Sequence, residues 1–492
     1  MNILAGLLII IPALTAFFSF FVRSSLLVSI FNTVSSSALL GLGLYFSSSL
    51  FNSEHVVNSS DIFIYDSLSA FSVRLVCIIS FLVILYSMSY LNSMKKQDSI
   101  DDKVCHDYYV YINLFIASML ALALMNNIAW SWIAVESTTL TSALLLGLYR
   151  KAKYLEAAWK YIIICTVGIL TALFGIVLFV TSITNISSGD IFSFSSLMHG
   201  GFTYNHDLIK IAFALIFVGY GTKVGLVPMH SWLPDAYQNA PSPVSALLTS
   251  SLSSLILIPI LRFKHIVDIC FGDSLYTSGF FYFFGFLSIV AAAIFMVHQY
   301  DFKRLLAFSS IENLGLIVLA FGLGTKIAMT AAFLHIIFHA LVKTVLFFST
   351  GNLFIHYHSH NIDKVRKVFK NLPLTGLALM LGAFACIGLP PFAIFTSKFM
   401  IIRELIDSNL ILSIFVLFAF AIIFGSFIHY FNKVLFLPAN EDDLFVKKDI
   451  SMPIFNFIAI VIPLSVLLYL GLFIPHVLLG YIEKIVGALV IN

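Results

Sequence analysis

Charged residues are scarce in this sequence. Only 10% of the 492 residues are Asp, Glu, Lys or Arg, whereas 60% are hydrophobic, and the mean hydropathy is +1.01. Soluble domains carry roughly 25% charged residues, so a water-soluble enzyme is excluded. The formal net charge of +3 offers no basic surface for a nucleic acid. Hydrophobic runs follow one another along the whole chain, which predicts an all-α polytopic membrane protein.

Cysteine is also sparse. The five cysteines are scattered and form no C-x-x-C pair. Iron–sulfur, haem c and zinc sites need clustered ligands, so we expect no cofactor and no metal in this chain. The alternating histidines of the segment 356–360 have no Cys or carboxylate beside them, and we interpret that segment as a polar loop.

Fourteen segments are apolar enough to be membrane spans, which need about 20 such residues each. The first begins without a basic region and is interpreted as a membrane helix rather than a signal peptide. The twelfth is too long for one span and contains Pro390-Pro391, which predicts a broken helix. Pro228 and Pro234 predict a second break at the end of the seventh. A short interfacial helix is expected over 476–492. The predicted spans are 2–22, 26–47, 67–92, 108–126, 129–149, 157–182, 208–227, 242–262, 278–297, 306–325, 327–351, 374–407, 409–432 and 452–476.

Lys and Arg are concentrated in the connections that follow odd-numbered spans, such as 95–103, 150–153 and 364–370. The stretches 48–65 and 183–207, which follow even-numbered spans, contain neither. Because basic loops stay in the cytoplasm, the odd connections are predicted to be cytoplasmic and both termini periplasmic.

Four ionisable residues fall inside predicted spans: Glu136, Lys223, Glu312 and Lys398. An intramembrane charge is costly and therefore indicates a functional site. The alternatives are a structural ion pair, or a lysine whose charged end reaches the membrane surface.

The spacing of these residues indicates an internal repeat. Glu136 and Lys223 are 87 positions apart, and Glu312 and Lys398 are 86 apart. Two five-helix units, residues 108–262 and 263–432, would then each carry one Glu and one Lys. Five is an odd number, so the second unit would be inverted, as in many transporters. Residues 1–107 would form a three-helix N-terminal segment, and residues 433–492 a C-terminal helix and tail.

The eleventh span carries His335, His339 and Lys343 at positions i, i+4 and i+8, which places them on one helix face. This stripe favours a proton relay, although an intramembrane His can also be a packed hydrogen-bonding residue. In the eighth span, the hydroxyl-rich segment 249–254 can hold water but cannot store a proton.

Several segments resemble the proton-pumping antiporter-like subunits of respiratory complex I. They are Lys223-Val-Gly-Leu-Val-Pro-Met-His230-Ser-Trp-Leu-Pro-Asp235 with its continuation to 248, and the segments 301–310 and 339–348. The segments 133–144 and 156–169 look most like component F of the hydrogenase-4 and formate-hydrogenlyase type complexes. The resemblance covers about residues 108–400.

The resemblance implies a role for each candidate residue. Glu136 and Lys223 would be the coupled pair of the first half-channel, and Lys343 and Lys398 the central and terminal proton carriers of the second. His230, His335 and His339 would connect them. Independently of the resemblance, the spacing makes Glu312 the second unit's carboxylate and a further candidate of the proton pathway. Many relatives have Lys or His in the eighth span, where this chain has Ser253 and Ser254.

The sequence therefore predicts a proton-translocating subunit without chemistry of its own, in an energy-converting complex of the bacterial inner membrane. Its expected partners are other membrane subunits and a peripheral redox arm with hydrogenase or iron–sulfur subunits. The alternatives are a subunit of a cation/proton antiporter and a subunit of a proton-driven inorganic-carbon uptake complex. A purely structural scaffold would not need Glu136, Lys223 and Lys398.

Overall fold

The computed structural model describes residues 1–22, 24–52, 58–60, 62–185, 189–199, 201–437 and 454–490. The basic residues 23, 447 and 448, which also follow odd-numbered spans, lie outside these ranges. So do residues 452–453 of the last predicted span and residues 491–492 of the expected terminal helix.

Helices make up most of the described chain. They are α1 (Asn2–Phe21), α2 (Ser25–Asn52), α3 (Ser67–Lys96), α4 (Asp102–Leu124), α5 (Ile128–Leu146), α6 (Ala152–Thr181), α7 (Phe194–His199), α8 (His206–Val224), α9 (Trp232–Asn239), α10 (Ser242–Leu247), α11 (Ser253–Leu255), α12 (Leu257–Phe271), α13 (Leu275–Met296), α14 (Phe302–Leu323), α15 (Lys326–Tyr357), α16 (Val368–Asn371), α17 (Pro373–Ile387), α18 (Ala393–Ser408), α19 (Leu410–Leu435), α20 (Ile454–Leu472) and α21 (His476–Leu489). Two short antiparallel pairs join β1 (Asn58–Ser59) to β2 (Ile64–Tyr65) and β3 (Ile183–Asn185) to β4 (Thr203–Tyr204).

All fourteen predicted spans coincide with helices, which confirms the all-α polytopic fold. Among the described residues, twelve spans are long and apolar enough to cross a membrane. The other two depart from that pattern for identifiable reasons. The fifth span, α5, contains Glu136 and six hydroxyl residues. The twelfth consists of the two shorter helices α17 and α18.

Two spans are broken, as the prolines predict. In the seventh, α8 ends at Val224, Gly225 follows with a φ of 95°, and a single 3₁₀ turn over Met229–Ser231 leads into α9. In the twelfth, α17 ends before Gly388, whose φ is 85°, and α18 begins at Ala393. Only glycine adopts such left-handed values readily, and the prolines that follow cannot donate a backbone hydrogen bond.

The eighth span is longer than predicted. It combines α10, a π-helical turn over Leu248–Leu252, α11 and α12, and it ends at Phe271 instead of 262. The predicted end is wrong because the helix continues through the charged residues Lys264 and Asp268. They lie one turn apart and form an ion pair within the helix, so their charges do not terminate it.

The spans at the centre of the bundle are closed off from its surface. Nearly every side chain of the eighth span and of α14 and α15 is buried, whereas α1, α6 and α19 expose apolar faces.

Two helix pairs pack backbone to backbone through small residues. A Cβ atom at Gly219 of α8 would lie 2.5 Å from the backbone nitrogen of Ala172 in α6, and one at Gly285 of α13 would lie 2.7 Å from that of Leu319 in α14.

The terminal helix α21 packs onto the bundle. Ile482, Ile485 and Val486 are buried, and the ring of Tyr481 stacks on Phe51 at 4.2 Å. The expected short helix is therefore present, with one face held against α3 and α15.

We call the end of the bundle with the connections after odd-numbered spans the inner end, and the opposite end the outer end.

Candidate functional site

In the first unit, Lys223 is fully buried in the last turn of α8. Its Nζ donates a hydrogen bond to Thr139 Oγ1 at 2.8 Å and another to the hydroxyl of Tyr161. It also lies 4.5 Å from the centre of the Tyr161 ring. The Tyr161 hydroxyl is in turn hydrogen-bonded to Ser142 Oγ at 2.6 Å. Neutral hydroxyls and an aromatic face therefore surround this ammonium.

Glu136 lies in the middle of α5 and is half-buried. One carboxylate oxygen accepts a hydrogen bond from Thr166 at 3.1 Å, and the other has no partner among the described residues. Ile133 and Leu140, on the same face of α5, are exposed. Among the described residues, no ion pair within 4.0 Å joins Glu136 to Lys223. The predicted pair is thus present on neighbouring helices but is not in contact.

In the predicted second unit, the corresponding Glu and Lys are in contact. Lys398 Nζ lies 2.9 Å from Glu312 Oε1, and the two side chains are only 10% and 1% exposed. The ammonium also lies 4.7 Å from the centre of the Phe420 ring. The stem of Lys398 passes close to the helix break, because a Cβ atom at Gly388 would lie 3.1 Å from its Cδ.

His335 is linked to this ion pair through Asn313. The side-chain amide of Asn313 donates to Glu312 Oε2 at 2.5 Å, and its Oδ1 is bonded to His335 Nε2 at 2.9 Å. The other ring nitrogen of His335 is bonded to Ser397 Oγ at 2.9 Å. These contacts fix the orientation of both the carboxylate and the imidazole.

Lys343 is two turns further along α15 and fully buried. Its Nζ donates to the backbone oxygen of Leu306 at 3.0 Å and to Ser309 Oγ. His339 lies between Lys343 and His335 in the sequence, and neither of its ring nitrogens has a partner among the described residues. The predicted stripe of three titratable groups is therefore inside the bundle, with its middle member unpaired there.

Hydroxyls of the eighth span connect the two units. Ser253 Oγ is bonded to the hydroxyl of Tyr237 in α9 at 3.1 Å, and Ser250 Oγ to Thr344 Oγ1 in α15 at 3.1 Å. Ser254 Oγ is buried without a partner in the described residues. Buried hydroxyls of this kind are normally satisfied by internal water. The eighth span thus joins the two units with polar groups that carry no charge.

His230 packs among aromatic rings. It lies on the 3₁₀ turn after the α8 break, with its ring 5.8 Å from Phe295 and 6.4 Å from Phe308. In the described part of the chain, no hydrogen bond joins its side chain to the other candidate residues.

A polar cavity of about 210 Å³ opens at the inner end, where connections from both units meet. Burial raises the pKa of Asp301 above its usual value. Burial, with the neighbouring charges of Lys303 and Lys153, holds the pKa of His360 well below its usual value. The predicted polar loop begins later than residue 356, because α15 continues to Tyr357. His358, Ser359 and His360 line the cavity, and the His360 ring stacks on Phe354 at 4.7 Å.

Several polar residues of the site were not predicted. Tyr161, Thr139, Ser397 and Ser309 are hydroxyl residues, which are too common in membrane helices to be a signal. Asn313 could have been found, because it directly follows Glu312 in an apolar segment.

The fold and the site define a polytopic membrane protein with buried Glu, Lys and His side chains of the kind found along ion pathways. Comparison with known families makes this class specific. The chain belongs to the family of NADH:quinone oxidoreductase/Mrp antiporter transmembrane proteins, whose model matches residues 125–425. This membership confirms the resemblance found in the sequence segments.

Alignments with individual relatives cover about two thirds of the chain. It is 34% identical over 345 residues to a hydrogenase-4 component F homolog of Methylacidiphilum infernorum, covering 70% of this chain and 72% of the relative. It is 29% identical over 344 residues to hydrogenase-4 component B of Escherichia coli, covering 68% of this chain and 49% of that protein. It is 31% identical over 338 residues to a Na(+)/H(+) antiporter subunit of Bacillus subtilis, covering 66% of this chain and 40% of that protein.

Solved structures share the fold. A chain of the membrane-bound sulfane sulfur reductase, an archaeal respiratory membrane complex, superposes with a TM-score of 0.87 at 22% identity, covering 99% of this chain and 97% of the other. A chain of the Mrp complex from Dietzia superposes with a TM-score of 0.83 at 16% identity, covering 100% of both chains.

Proposed function

We propose that this chain is the proton-translocating membrane subunit of an energy-converting complex. One observation carries the proposal: the two Glu–Lys pairs are in opposite states. Glu312 and Lys398 form a closed ion pair at 2.9 Å, whereas Lys223 is held by hydroxyls and Glu136 by Thr166.

In the closed state the lysine holds its proton, and in the open state it can release it. A buried lysine binds its proton less tightly than one in water, and a carboxylate in contact restores the binding. If Glu136 approached Lys223, the ammonium would be stabilised; when it withdraws, the proton is free to leave. A change of about 1.4 kcal/mol in the interaction alters proton affinity tenfold, so small side-chain movements are sufficient.

We further propose that residues 108–262 and 263–432 are two half-channels related by an inverted repeat. The matched Glu–Lys spacing and the two broken spans support this arrangement. The match is not complete, because Lys223 precedes its helix break, whereas Lys398 follows its own. Residues 1–107 and 433–492 would flank the two half-channels.

In this proposal, protons enter through the inner cavity and move along the mid-membrane line. The line passes from Lys223 through the hydroxyls of the eighth span to Lys343, then through His339 and His335 to Glu312 and Lys398. Ser254 and His339 have no side-chain partner among the described residues, and water at these two groups would complete the contacts. His230 would act at the junction of the two units and not within the line.

We propose that the partners are other membrane subunits and a peripheral redox arm containing hydrogenase or iron–sulfur subunits. The match to a hydrogenase-4 component F homolog and the fold shared with a respiratory complex support these partners. The complex would lie in a bacterial inner membrane. The basic inner-end connections support a cytoplasmic inner end and periplasmic termini.

The second candidate function is that of one component in a cation/proton antiporter complex. The 31% identity to a Na(+)/H(+) antiporter subunit favours it. The two functions use the same buried residues but differ in the driving force. In the first, proton movement follows electron transfer; in the second, it follows a sodium gradient without any electron donor.

The test uses the intact complex purified with its native partners and reconstituted in vesicles. Glu136→Gln and Lys223→Met should each abolish electron-driven proton movement, measured with a pH-sensitive dye, while the complex remains assembled. Glu483→Gln, which changes an exposed carboxylate on α21, is the matched control and should pump normally. Normal pumping by both site variants would refute the proposed site. Proton movement driven only by a sodium gradient would favour the antiporter instead.

A further inference from the structure

The outer half of the eighth span carries charges that its middle lacks. Lys264 and Asp268 lie one turn apart on α12 and form an ion pair whose side chains are only 11% and 4% exposed. The second carboxylate oxygen of Asp268 accepts a hydrogen bond from Thr277 of α13. None of these residues belongs to the line described above.

The pair faces a second cavity. About 340 Å³ of open, polar space at the outer end is lined by Lys264, His265, Asp268 and Asp273, together with the adjoining ends of α14, α15 and α21. This volume accommodates several water molecules. A buried acid–base pair is therefore in contact with the aqueous phase on the side opposite the inner cavity.

The same cavity approaches the mid-membrane line. Met329, which lines it, is six residues before His335 on α15, a distance of roughly 9 Å along the helix axis at 1.5 Å per residue. Ser254, whose buried hydroxyl is unpartnered in the described residues, is ten residues before Lys264, or about 15 Å of axis. The pair thus lies between the line and the outer surface.

Stability alone does not account for this pair. A buried ion pair is often no more stabilising than hydrophobic residues of the same size, and most of the span around it is apolar. What the pair does provide is a proton acceptor and a proton donor in direct contact at the edge of water.

We propose that Lys264 and Asp268 form a further proton-transfer site that exchanges protons between the mid-membrane line and the outer aqueous phase. The inference rests on the proposed function. An arriving proton binds the Asp268 carboxylate and removes its charge. The Lys264 ammonium, no longer held by that charge, gives one proton to water in the cavity. Transfer of the remaining proton from Asp268 to Lys264 then restores the ion pair, with one proton taken in and one released.

Lys264→Arg is the decisive variant. Arginine keeps the positive charge and can keep the ion pair, but it does not release its proton in proteins. In the intact complex reconstituted in vesicles, this variant should assemble at the normal level and lose at least tenfold in proton movement per electron transferred. Asp207→Asn, which alters an exposed carboxylate at the same outer end, should behave as the unmodified complex.

A second variant covers the possibility that the arginine does not fit. Lys264→Met combined with Asp268→Asn removes both charges together, so no unpaired charge is left buried. Assembly with lost pumping would support the proposal. Normal pumping by either assembled variant would show that the pair is only structural and would overturn it. If the Lys264 and Asp268 variants pump normally while Glu136→Gln and Lys223→Met abolish pumping, only the proposed outer site has failed. If Glu136→Gln and Lys223→Met also pump normally, the proposed function has failed as well.

Discussion

Removing the carboxylate of Glu312 is expected to weaken strongly the binding of the proton on Lys398. Glu312 and Lys398 are almost completely buried and 2.9 Å apart. Breaking a buried pair by removing one partner costs roughly 3–5 kcal/mol, because the other charge is left uncompensated. In Glu312→Gln that cost falls on the Lys398 ammonium, which can reduce it only by giving up its proton or by drawing in water. At about 1.4 kcal/mol per tenfold, the binding of that proton should weaken by roughly a hundredfold or more.

A double-mutant cycle measures this coupling. Glu312→Gln and Lys398→Met should each lower the temperature at which this chain dissociates from the heated, solubilised complex. The double variant should recover most of the loss, because a neutral pair of similar size leaves no buried charge. None of the three should pump protons, because each lacks at least one member of the Glu312–Lys398 pair. Asn313 and His335, which contact the carboxylate directly or through one residue, remain in place in all three.

The cycle can refute the reasoning in two ways. Additive losses, with the double variant as unstable as the two singles together, would show that the charges do not depend on each other. Normal pumping by either single variant would remove the ion pair from the pathway, whatever its contribution to stability.

Two further expectations follow from other parts of the structure. Tyr161→Phe removes one of the two hydroxyls that bind Lys223 of α8. Because hydrogen bonds to charged groups contribute about 1.5–3 kcal/mol, pumping should slow roughly ten- to a hundredfold without loss of assembly. An unchanged pumping rate would contradict this. A reporter cysteine replacing Lys151 at the inner end should be protected from an impermeant thiol reagent added to intact cells, whereas one replacing Asn185 at the outer end should react. The reverse labelling pattern would invert the proposed topology.

The sequence alone was sufficient for the order and number of the spans. Long apolar runs are unambiguous in a membrane protein, and proline positions located both broken spans. It failed at the end of the eighth span, because Lys264 and Asp268 neutralise each other inside the helix, and such pairing is visible only when the two side chains are seen to meet.

The site was predicted in part. Charged residues in apolar segments are rare enough to be noticed singly, so Glu136, Lys223, Glu312 and Lys398 were identified. Their contacts were not predictable, because spacing along the chain does not reveal whether a Glu–Lys pair is closed or open. The hydroxyl of Tyr161 has no sequence signal at all, since its role depends on the side chain of Lys223 reaching it from another helix.

The π-helical turn at Leu248–Leu252 has a consequence for the geometry of the outer cavity. Such a turn holds one residue more than an α-helical turn, and each α-helical residue rotates the chain by about 100°. If the same residues wound as a regular α-helix with none removed, the turn would no longer take up its extra residue, and the rest of the span would be advanced by about 100°. The part upstream would keep its contacts with α9, but everything downstream would turn by roughly a quarter of a revolution. Lys264 and Asp268 would then point away from the outer cavity, although no side chain near them had changed. The register of a single turn, some 15 residues away, thus sets the direction in which the outer charges face.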